Sequence, residues 1–154
     1  MLLIPKTATA TVVALKAAIA EIKKEMFPGG KKPAPPGFHD PLRDGDTATK
    51  KNGQSYGPTA AGHYVLNANA YEDRPPAVVG TERGPDGKLL PITSGVKSGD
   101  YGRAGITLYG YTKGDSGIGV GLRTLQRVFV GEALGADADP DVDFGGYNDE
   151  PDVL

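Results

Sequence analysis

The sequence of 154 residues contains no cysteine and no long run of apolar residues. Without cysteine the chain can form neither disulfide bonds nor thiolate metal sites, a composition compatible with a reducing cytosol. No stretch approaches the roughly 18 consecutive apolar residues that a membrane-spanning helix needs. The opening Met-Leu-Leu-Ile-Pro-Lys is too short and too weakly basic for a signal peptide. These absences predict an intracellular protein that does not contact membranes.

Apolar residues of any kind are scarce, because the hydrophobic content is 38%. Glycine and proline are abundant instead, with 23 and 13 residues. The length allows one domain with a modest core, and the excess of Gly and Pro predicts many turns and long loops. A helical bundle is therefore disfavoured.

Basic residues are absent from residues 132–154, which carry eight acidic side chains. The preceding part holds all 17 basic residues and the other 11 of the 19 acids, a net charge of +6. Blocks of like charge are typical of disordered interaction tails, and a basic body is typical of nucleic-acid binders. We therefore predict a domain over residues 1–134 and a flexible acidic tail over 135–154. Charge alone does not distinguish a solubilising tail from one that docks on the body or on a partner protein.

A single helix is predicted near the N-terminus, after a short strand at residues 2–4 that Pro5 ends. A Thr at position 7, 9 or 11 can cap this helix, and Pro28-Gly29-Gly30 ends it. Its apolar residues recur at intervals of three and four and form one stripe: Val12, Leu15, Ile19, Ile22 and Met26.

The rest of the chain is predicted to be a long loop over residues 28–62 followed by a β-sheet. Strands are indicated at residues 63–71, 77–79 and 101–111, with a turn at 113–117 and a returning strand that ends near Phe129. In the segment 101–111 the even positions Ala104, Ile106 and Leu108 form an apolar face. The odd positions form the opposite face: Tyr101, Arg103, Thr107, Tyr109 and Tyr111.

The tyrosines and the arginine of segment 101–111 are candidate ligand contacts. Aromatic rings stack on nucleobases of any sequence, and a guanidinium can bind phosphate. The alternative is that these tyrosines pack beneath the helix or the long loop. The electrostatic candidates around the same surface are Arg43, Lys50, Lys51, Lys97, Lys113 and Arg123.

Features that suggest an enzyme fail on inspection. Gly114-Asp115-Ser116-Gly117 resembles a protease nucleophile motif but lies at the expected hairpin turn. Asp137, Asp139, Asp141 and Asp143 resemble a calcium loop, which lacks its glycine because position 142 is Val. A hydrolase or nuclease that uses these acids is the weakest alternative, because a flexible tail cannot hold catalytic geometry. We predict no catalysis, no metal site and no cofactor.

Five motifs occur in an order and at spacings that resemble one known family. Each motif alone is weak, but the series spans nearly the whole chain: Pro-Leu-Arg-Asp-Gly-Asp at 41–46, Gly-His-Tyr-Val-Leu-Asn-Ala at 62–68, Ser-Gly-Asp-Tyr-Gly-Arg-Ala at 98–104, Val-Gly-Leu to Gln-Arg-Val at 120–128, and Gly-Glu-Ala-Leu-Gly at 131–135. The series resembles a phage family of single-stranded-DNA-binding proteins, long catalogued as a domain of unknown function. The opening Leu-Leu-Ile-Pro-Lys and the Ala-rich helix fit the same family.

The resemblance implies an OB-like β-barrel that coats single strands during phage replication or recombination in the cytoplasm of the bacterial host. It also implies an acidic tail that recruits replication or recombination proteins, for which we select Asp149, Glu150, Asp152, Val153 and Leu154. Family members carry additional residues before the Leu-Leu-Ile-Pro segment, which supply the opening strand or strands of the barrel. Either the start is truncated here, or the barrel has an open edge that could pair with another strand.

The sequence thus predicts a non-catalytic, sequence-tolerant protein that binds single-stranded DNA, with homo-oligomerisation left open. The alternative is a structural or adaptor protein of a phage complex that does not bind nucleic acid. That alternative predicts tyrosines buried against the loop.

Overall fold

The computed structural model describes residues 1–31 and 37–134. Over these ranges the chain is mostly β, with one α-helix, eight strands and two short 3₁₀ turns. The helix is α1 (Thr9–Met26), and the strands are β1 (Leu2–Pro5), β2 (Phe38–His39), β3 (Leu42–Asp44), β4 (His63–Leu66), β5 (Ala77–Arg83), β6 (Leu89–Pro91), β7 (Tyr101–Tyr111) and β8 (Ser116–Phe129). The predicted tail lies outside the described residues.

The smaller sheet has three antiparallel strands in the order β1-β4-β3. Its central strand, β4, contributes the two most deeply buried large side chains of the described residues, Val65 and Leu66. Successive side chains of a strand point to opposite faces, so β4 is covered on both sides at these positions. This sheet is therefore part of the hydrophobic core.

The larger sheet is organised around β8. Along one edge β8 pairs with β7 in an antiparallel hairpin that runs from Tyr101 opposite Phe129 to Tyr111 opposite Gly117. Along its other edge β8 pairs in parallel with β2 near its start and with β5 near its end. Between them the backbone of Asn69 bonds to Val120 and Leu122. The long β8 strand thus joins three distant parts of the chain.

Helix α1 packs against the β7 side of this hairpin. Val12 and Ile19 of the predicted apolar stripe are buried, and Met26 covers Gly110 so closely that a Cβ there would meet its side chain. The predicted helix is confirmed. The predicted threonine cap is wrong, because Ala8 is the N-cap and no side chain caps the helix.

The described residues do not close into a barrel, the possibility that the sequence left open when it predicted an OB-like barrel with an open edge. They form two separate sheets, and β7 pairs with β8 alone, which leaves its other edge open. Closing a barrel requires a further strand to pair along β7. The only strand before the helix, β1, has 4 residues against 11 in β7, and it pairs with β4 instead.

Other predicted element boundaries also change. The strand predicted over 77–79 extends to Arg83, and β8 begins at Ser116, within the predicted turn. The described part of the segment predicted as a loop over 28–62 contains the short strands β2 and β3. The strand predicted over 63–71 ends at Leu66, because the chain then leaves the small sheet and Asn69 bridges to Gly121 of β8. Strand β7 has the predicted bounds.

Candidate nucleic-acid interface

The two faces of the β7–β8 hairpin have different environments. Leu108 of β7 lies opposite the buried Val120 of β8, and this face meets helix α1. The opposite face carries the odd-numbered side chains of β7 and is turned away from the helix: Tyr101, Arg103, Thr107, Tyr109 and Tyr111. We call these five residues the tyrosine face.

Glycines on β8 lie beneath the tyrosine face. Tyr109 is paired with Gly119 and Tyr111 with Gly117. A Cβ built on Gly119 would lie 2.6 Å from the hydroxyl of Tyr109, and one built on Gly117 would lie 2.6 Å from the hydroxyl of Tyr111. Real Cβ atoms do not approach other atoms so closely, so only glycine lets these tyrosine rings lie across β8.

The tyrosine face is accessible to solvent. Tyr101 is 58% exposed and Tyr109 is 48% exposed, whereas Tyr111 is half-buried at the turn end of the hairpin. Helix α1 lies on the other side of the hairpin. Tyr101 and Tyr109 are therefore not packed beneath the helix, and among the described residues no loop buries them.

An open groove with a volume of about 520 Å³ adjoins the turn end of the tyrosine face. Five of the residues predicted from sequence line it together, although they come from β3, β7 and two loops: Arg43, Lys51, Tyr109, Tyr111 and Lys113. We call this surface the groove. Because two aromatic rings and three cations share one concave surface, it can accept stacked rings and anions at the same time.

The groove cations lack acidic partners within the described chain. Among residues 1–31 and 37–134, no carboxylate lies within 4 Å of Arg43, Lys51 or Lys113. The guanidinium of Arg43 donates to the hydroxyl of Tyr56, at 3.3 Å. Cations without a fixed carboxylate keep their attraction for an incoming phosphate.

Two acids and a histidine also line the groove. The carboxylate of Asp40 forms a salt bridge with the ammonium of Lys23 in helix α1, at 2.5 Å. Asp115 lies 3.3 Å from Nε2 of His39. His39 and the hydroxyl of Tyr111 both lie over Gly117. A Cβ built on Gly117 would be 2.6 Å from the Tyr111 hydroxyl and 2.7 Å from the Cβ of His39. These residues add hydrogen-bonding groups to a surface whose remaining charges are positive.

The other five predicted residues lie outside the groove. Tyr101 and Arg103 are exposed on the tyrosine face, towards the open end of the hairpin. The ring of Tyr101 stacks on that of Phe129, with centroids 4.4 Å apart and planes inclined by 17°. Arg123 is exposed where β8 carries an extra residue relative to β7. The ammonium of Lys50 lies 6.0 Å above the ring of Tyr56.

Lys97 is held by a structural cluster around Asp100. The Asp100 side chain is 1% exposed and accepts hydrogen bonds from the backbone N–H groups of Lys97 and Gly131, at 3.1 and 3.2 Å. These bonds hold the pKa of Asp100 below its usual value. The ammonium of Lys97 bonds the carbonyl of Gly131 and lies 3.5 Å from Asp100. The cluster fixes the end of β8 against the loop before β7.

The acids of the 41–46 motif hold the small sheet together. The ammonium of Lys6 bonds Asp44 at 2.6 Å and Asp46 at 2.5 Å. These hydrogen bonds raise the pKa of Lys6 and lower the pKa values of both acids. Asp46 also accepts the N–H of Gly62 at 2.9 Å. Of this motif, Arg43 is the charged residue that lines the groove.

Sequence reasoning did not select some residues of this surface. Asn67 and Asn69 line the groove, and both occupy the polar side of the alternation in segment 63–71 that could have singled them out. His39 reaches the groove through the parallel pairing of β2 with β8, for which the sequence has no local signal. Phe129 was assigned only to the end of a strand, although its side chain is 56% exposed.

Neither a metal centre nor a membrane span is found in the described chain. Residues 1–31 and 37–134 contain no group of three or more His, Asp or Glu side chains that could hold an ion. The aspartates at 137–143 lie outside these ranges. No helix within the described residues is long and apolar enough to cross a membrane.

An exposed sheet face with aromatic rings beside free cations is the type of surface on which single-strand nucleic-acid binders stack bases. Comparison with known protein families supports the same class of protein, the binders of single-stranded nucleic acid. The model of the family described as "Enterobacter phage Enc34, ssDNA-binding protein" matches residues 1–154. The chain belongs to this family.

Solved structures with the same fold come from bacteriophage Enc34. Its single-stranded DNA-binding protein has a TM-score of 0.64 at 21% identity, covering 92% of this chain and 73% of that one. The same protein in complex with ssDNA has a TM-score of 0.63 at 22% identity, and the match covers 86% of this chain and 71% of that one. A C-terminal truncation of that protein has a TM-score of 0.60 at 19% identity, and the match covers 86% of this chain and 70% of that one. No curated protein matches this chain.

Proposed function

We propose that this chain is a non-catalytic phage protein that binds single-stranded DNA without sequence preference during replication or recombination. The observation that carries the proposal is the groove, in which Tyr109 and Tyr111 lie beside Arg43, Lys51 and Lys113. Family membership and the ssDNA complex of the Enc34 protein support it.

Stacking and charge act together in this proposal. Bases stack on Tyr109 and Tyr111, each stack contributing roughly 1–3 kcal/mol regardless of base identity. Arg43, Lys51 and Lys113 bind phosphates and release counterions, so affinity falls as salt rises. Tyr101, Arg103 and Arg123 extend the surface along the hairpin, and Lys50 adds charge near Tyr56. Lys97 contributes mainly through its bonds to Asp100 and Gly131.

The acidic tail, residues 135–154, acts on the same surface in this proposal. It leaves the described domain at Leu134, whose N–H bonds Ser98 beside the open end of the hairpin. The open end lies about 27 Å from Tyr109, since strands rise about 3.4 Å per residue. Twenty residues can span at most about 70 Å. The tail can therefore reach the groove, compete with DNA, and offer Asp149, Glu150, Asp152, Val153 and Leu154 to a partner protein.

We propose further that the two sheets represent an open, OB-like arrangement. OB-folds are small, partly open barrels that bind oligonucleotides on a sheet face. The domain would extend over residues 1–134, with the groove at the turn end of the β7–β8 hairpin.

The proposal is tested by fluorescence anisotropy of labelled oligo-dT with the full chain at two salt concentrations. Unlabelled single strand and unlabelled duplex serve as competitors. We expect salt-sensitive binding that single strand displaces and duplex does not. Absence of binding at low salt, with a normal circular-dichroism melt, would contradict the proposal and favour an adaptor protein.

Cleavage and the role of the tail are measured on the same material. Labelled DNA incubated with magnesium should remain intact, and a cleaved product would contradict a non-catalytic role. Deleting residues 135–154 should tighten DNA binding. Unchanged or weaker affinity would restrict the tail to protein partners.

A further inference from the structure

The open end of the β7–β8 hairpin presents a second aromatic surface, formed by Tyr101 and Phe129. Their rings are stacked 4.4 Å apart, yet the two residues remain 58% and 56% exposed. Two adjacent exposed rings place their apolar area side by side in water, and contiguous exposed apolar surface marks contact sites where it is extensive. We call the two residues the aromatic pair.

The aromatic pair continues the tyrosine face. Tyr101 shares the odd-numbered side of β7 with Tyr109, and eight residues separate them, about 27 Å along the strand. The residues between them on this side are Arg103, Gly105 and Thr107. Gly105 has no side chain, and among the described residues no carboxylate lies within 4 Å of the exposed Arg103. The side chains between the two aromatic sites on this side of β7 are thus polar or absent, and one of them, Arg103, is a cation.

We infer that the aromatic pair is a second base-stacking site, with Phe129 as a DNA contact, for a single strand that runs along β7 from the groove. This inference rests on the proposed function. Nucleobases are the favoured occupant because the path carries a cation and ends in the groove. About eight nucleotides at the stacked spacing of about 3.4 Å would cover 27 Å, and a stretched strand would need fewer.

The absence of tryptophan in the sequence allows a direct test. Phe129→Trp places a single reporter in the aromatic pair, and Val13→Trp places a matched one on α1, whose contact with the hairpin is on the other face. Val13 is 61% exposed. Titration with oligo-dT of about 16 nucleotides should quench the tryptophan at 129 and leave the one at 13 unchanged. Equal responses, or no quenching at 129 while anisotropy reports binding, would overturn the inference.

Alanine variants measure the contribution of the pair to binding. Phe129→Ala should weaken the affinity for the same oligo-dT by between about 5-fold and about 150-fold. The double variant with Tyr101→Ala should lose less than the product of the two single losses, because contacting residues share one interaction. Unchanged affinity of Phe129→Ala, with an unchanged circular-dichroism melt, would overturn the inference.

Two outcomes separate this inference from its alternatives. If the wild-type chain does not bind oligo-dT, the proposed function fails before the aromatic pair is tested. If binding persists but sedimentation shows a wild-type dimer that Phe129→Ala dissociates, the pair is a contact between two copies. That second result would overturn the inference and leave the proposed function standing.

Discussion

The small sheet and the hairpin face use their charged residues in opposite ways. In the small sheet Lys6 is bonded to Asp44 and Asp46, so its charge is neutralised inside the fold. On the groove side Lys51 and Lys113 have no carboxylate within 4 Å among the described residues. A paired cation stabilises structure, whereas an unpaired one remains available to a ligand. The basic residues of the domain therefore have two roles, structural and ligand-binding. The net charge calculated from the sequence does not distinguish them.

The largest effect on DNA binding is expected from Tyr109→Ala, which removes the ring that lies over Gly119. Loss of one base stack should weaken affinity for oligo-dT by between about 5-fold and about 150-fold. Tyr71→Ala is the matched control, because Tyr71 is 74% exposed but does not line the groove. Anisotropy titrations of both variants make the comparison. Equal losses of affinity in the two variants would show that DNA contacts exposed tyrosines without preference, and this would contradict a defined stacking site.

The next effect is expected from Lys51→Ala combined with Lys113→Ala. Removing two phosphate contacts should reduce the slope of log affinity against log salt by about 1.4 for a single strand, with weaker binding at low salt. The control is Lys24→Ala combined with Lys31→Ala, which removes two exposed lysines from α1 and the turn after it. A slope that falls equally in both pairs would mean that the protein binds DNA through net charge alone.

A smaller effect, on stability rather than binding, is expected from Asp44→Asn combined with Asp46→Asn. The folded pKa values of these acids lie below 3.8, so their stabilising contribution is present above pH 3.8 and is lost as the pH falls through the folded values. The pKa of Lys6 is raised, so its contribution is fully present below pH 10.5 and is lost as the pH rises through the folded value. The variant should melt a few degrees lower at neutral pH and lose less stability on acidification.

Thermal melts at neutral and acidic pH test this prediction, with Glu82→Gln, an exposed strand residue, as the control. DNA affinity at neutral pH should stay close to wild type. A strong loss of DNA binding without a lower melting temperature would place Lys6 and its partners in the binding surface.

The smallest effect on binding is expected from Lys97→Met. Its ammonium is already bonded to Gly131 and close to Asp100, so little of its charge is available to DNA. Affinity should change less than in Lys113→Ala, while the melting temperature falls slightly. Anisotropy measures the contribution of Lys97 to DNA binding, and a thermal melt measures its contribution to stability. A loss of affinity that matches Lys113→Ala would show that DNA displaces the bond to Asp100.

The sequence predicted the helix, the bounds of β7 and the division of β7 into two faces, because each depends on a local period of side chains. It also selected five residues that the groove brings together. The parallel pairing of β2 and β5 with β8 depends on contacts between residues far apart in the chain, so no local pattern indicated it. Phe129 escaped selection because a residue at the end of a strand has no following period to show its face, and its pairing with Tyr101 depends on the register of the hairpin.

The charge of Lys97 illustrates the same limit. Its type and position fit a phosphate contact. Asp100 is only three residues away in the sequence, but the burial of Asp100 and the bond from Lys97 to the carbonyl of Gly131 depend on the fold. Conversely, the acids of the 41–46 motif gave no sign in the sequence that a lysine at position 6 neutralises them. Pairing between distant side chains is a property of the tertiary structure.

The glycines beneath the tyrosine rings have an entropic consequence. A tyrosine free to rotate in solvent loses side-chain freedom when it binds a base, and that loss reduces affinity. Because Gly117 and Gly119 let the rings of Tyr111 and Tyr109 rest on the backbone of β8, much of this freedom is already lost on folding. In the proposed function, part of the affinity for bases is therefore encoded in glycines that have no side chain to contact a base. Alanine at position 119 should weaken binding although every tyrosine is retained.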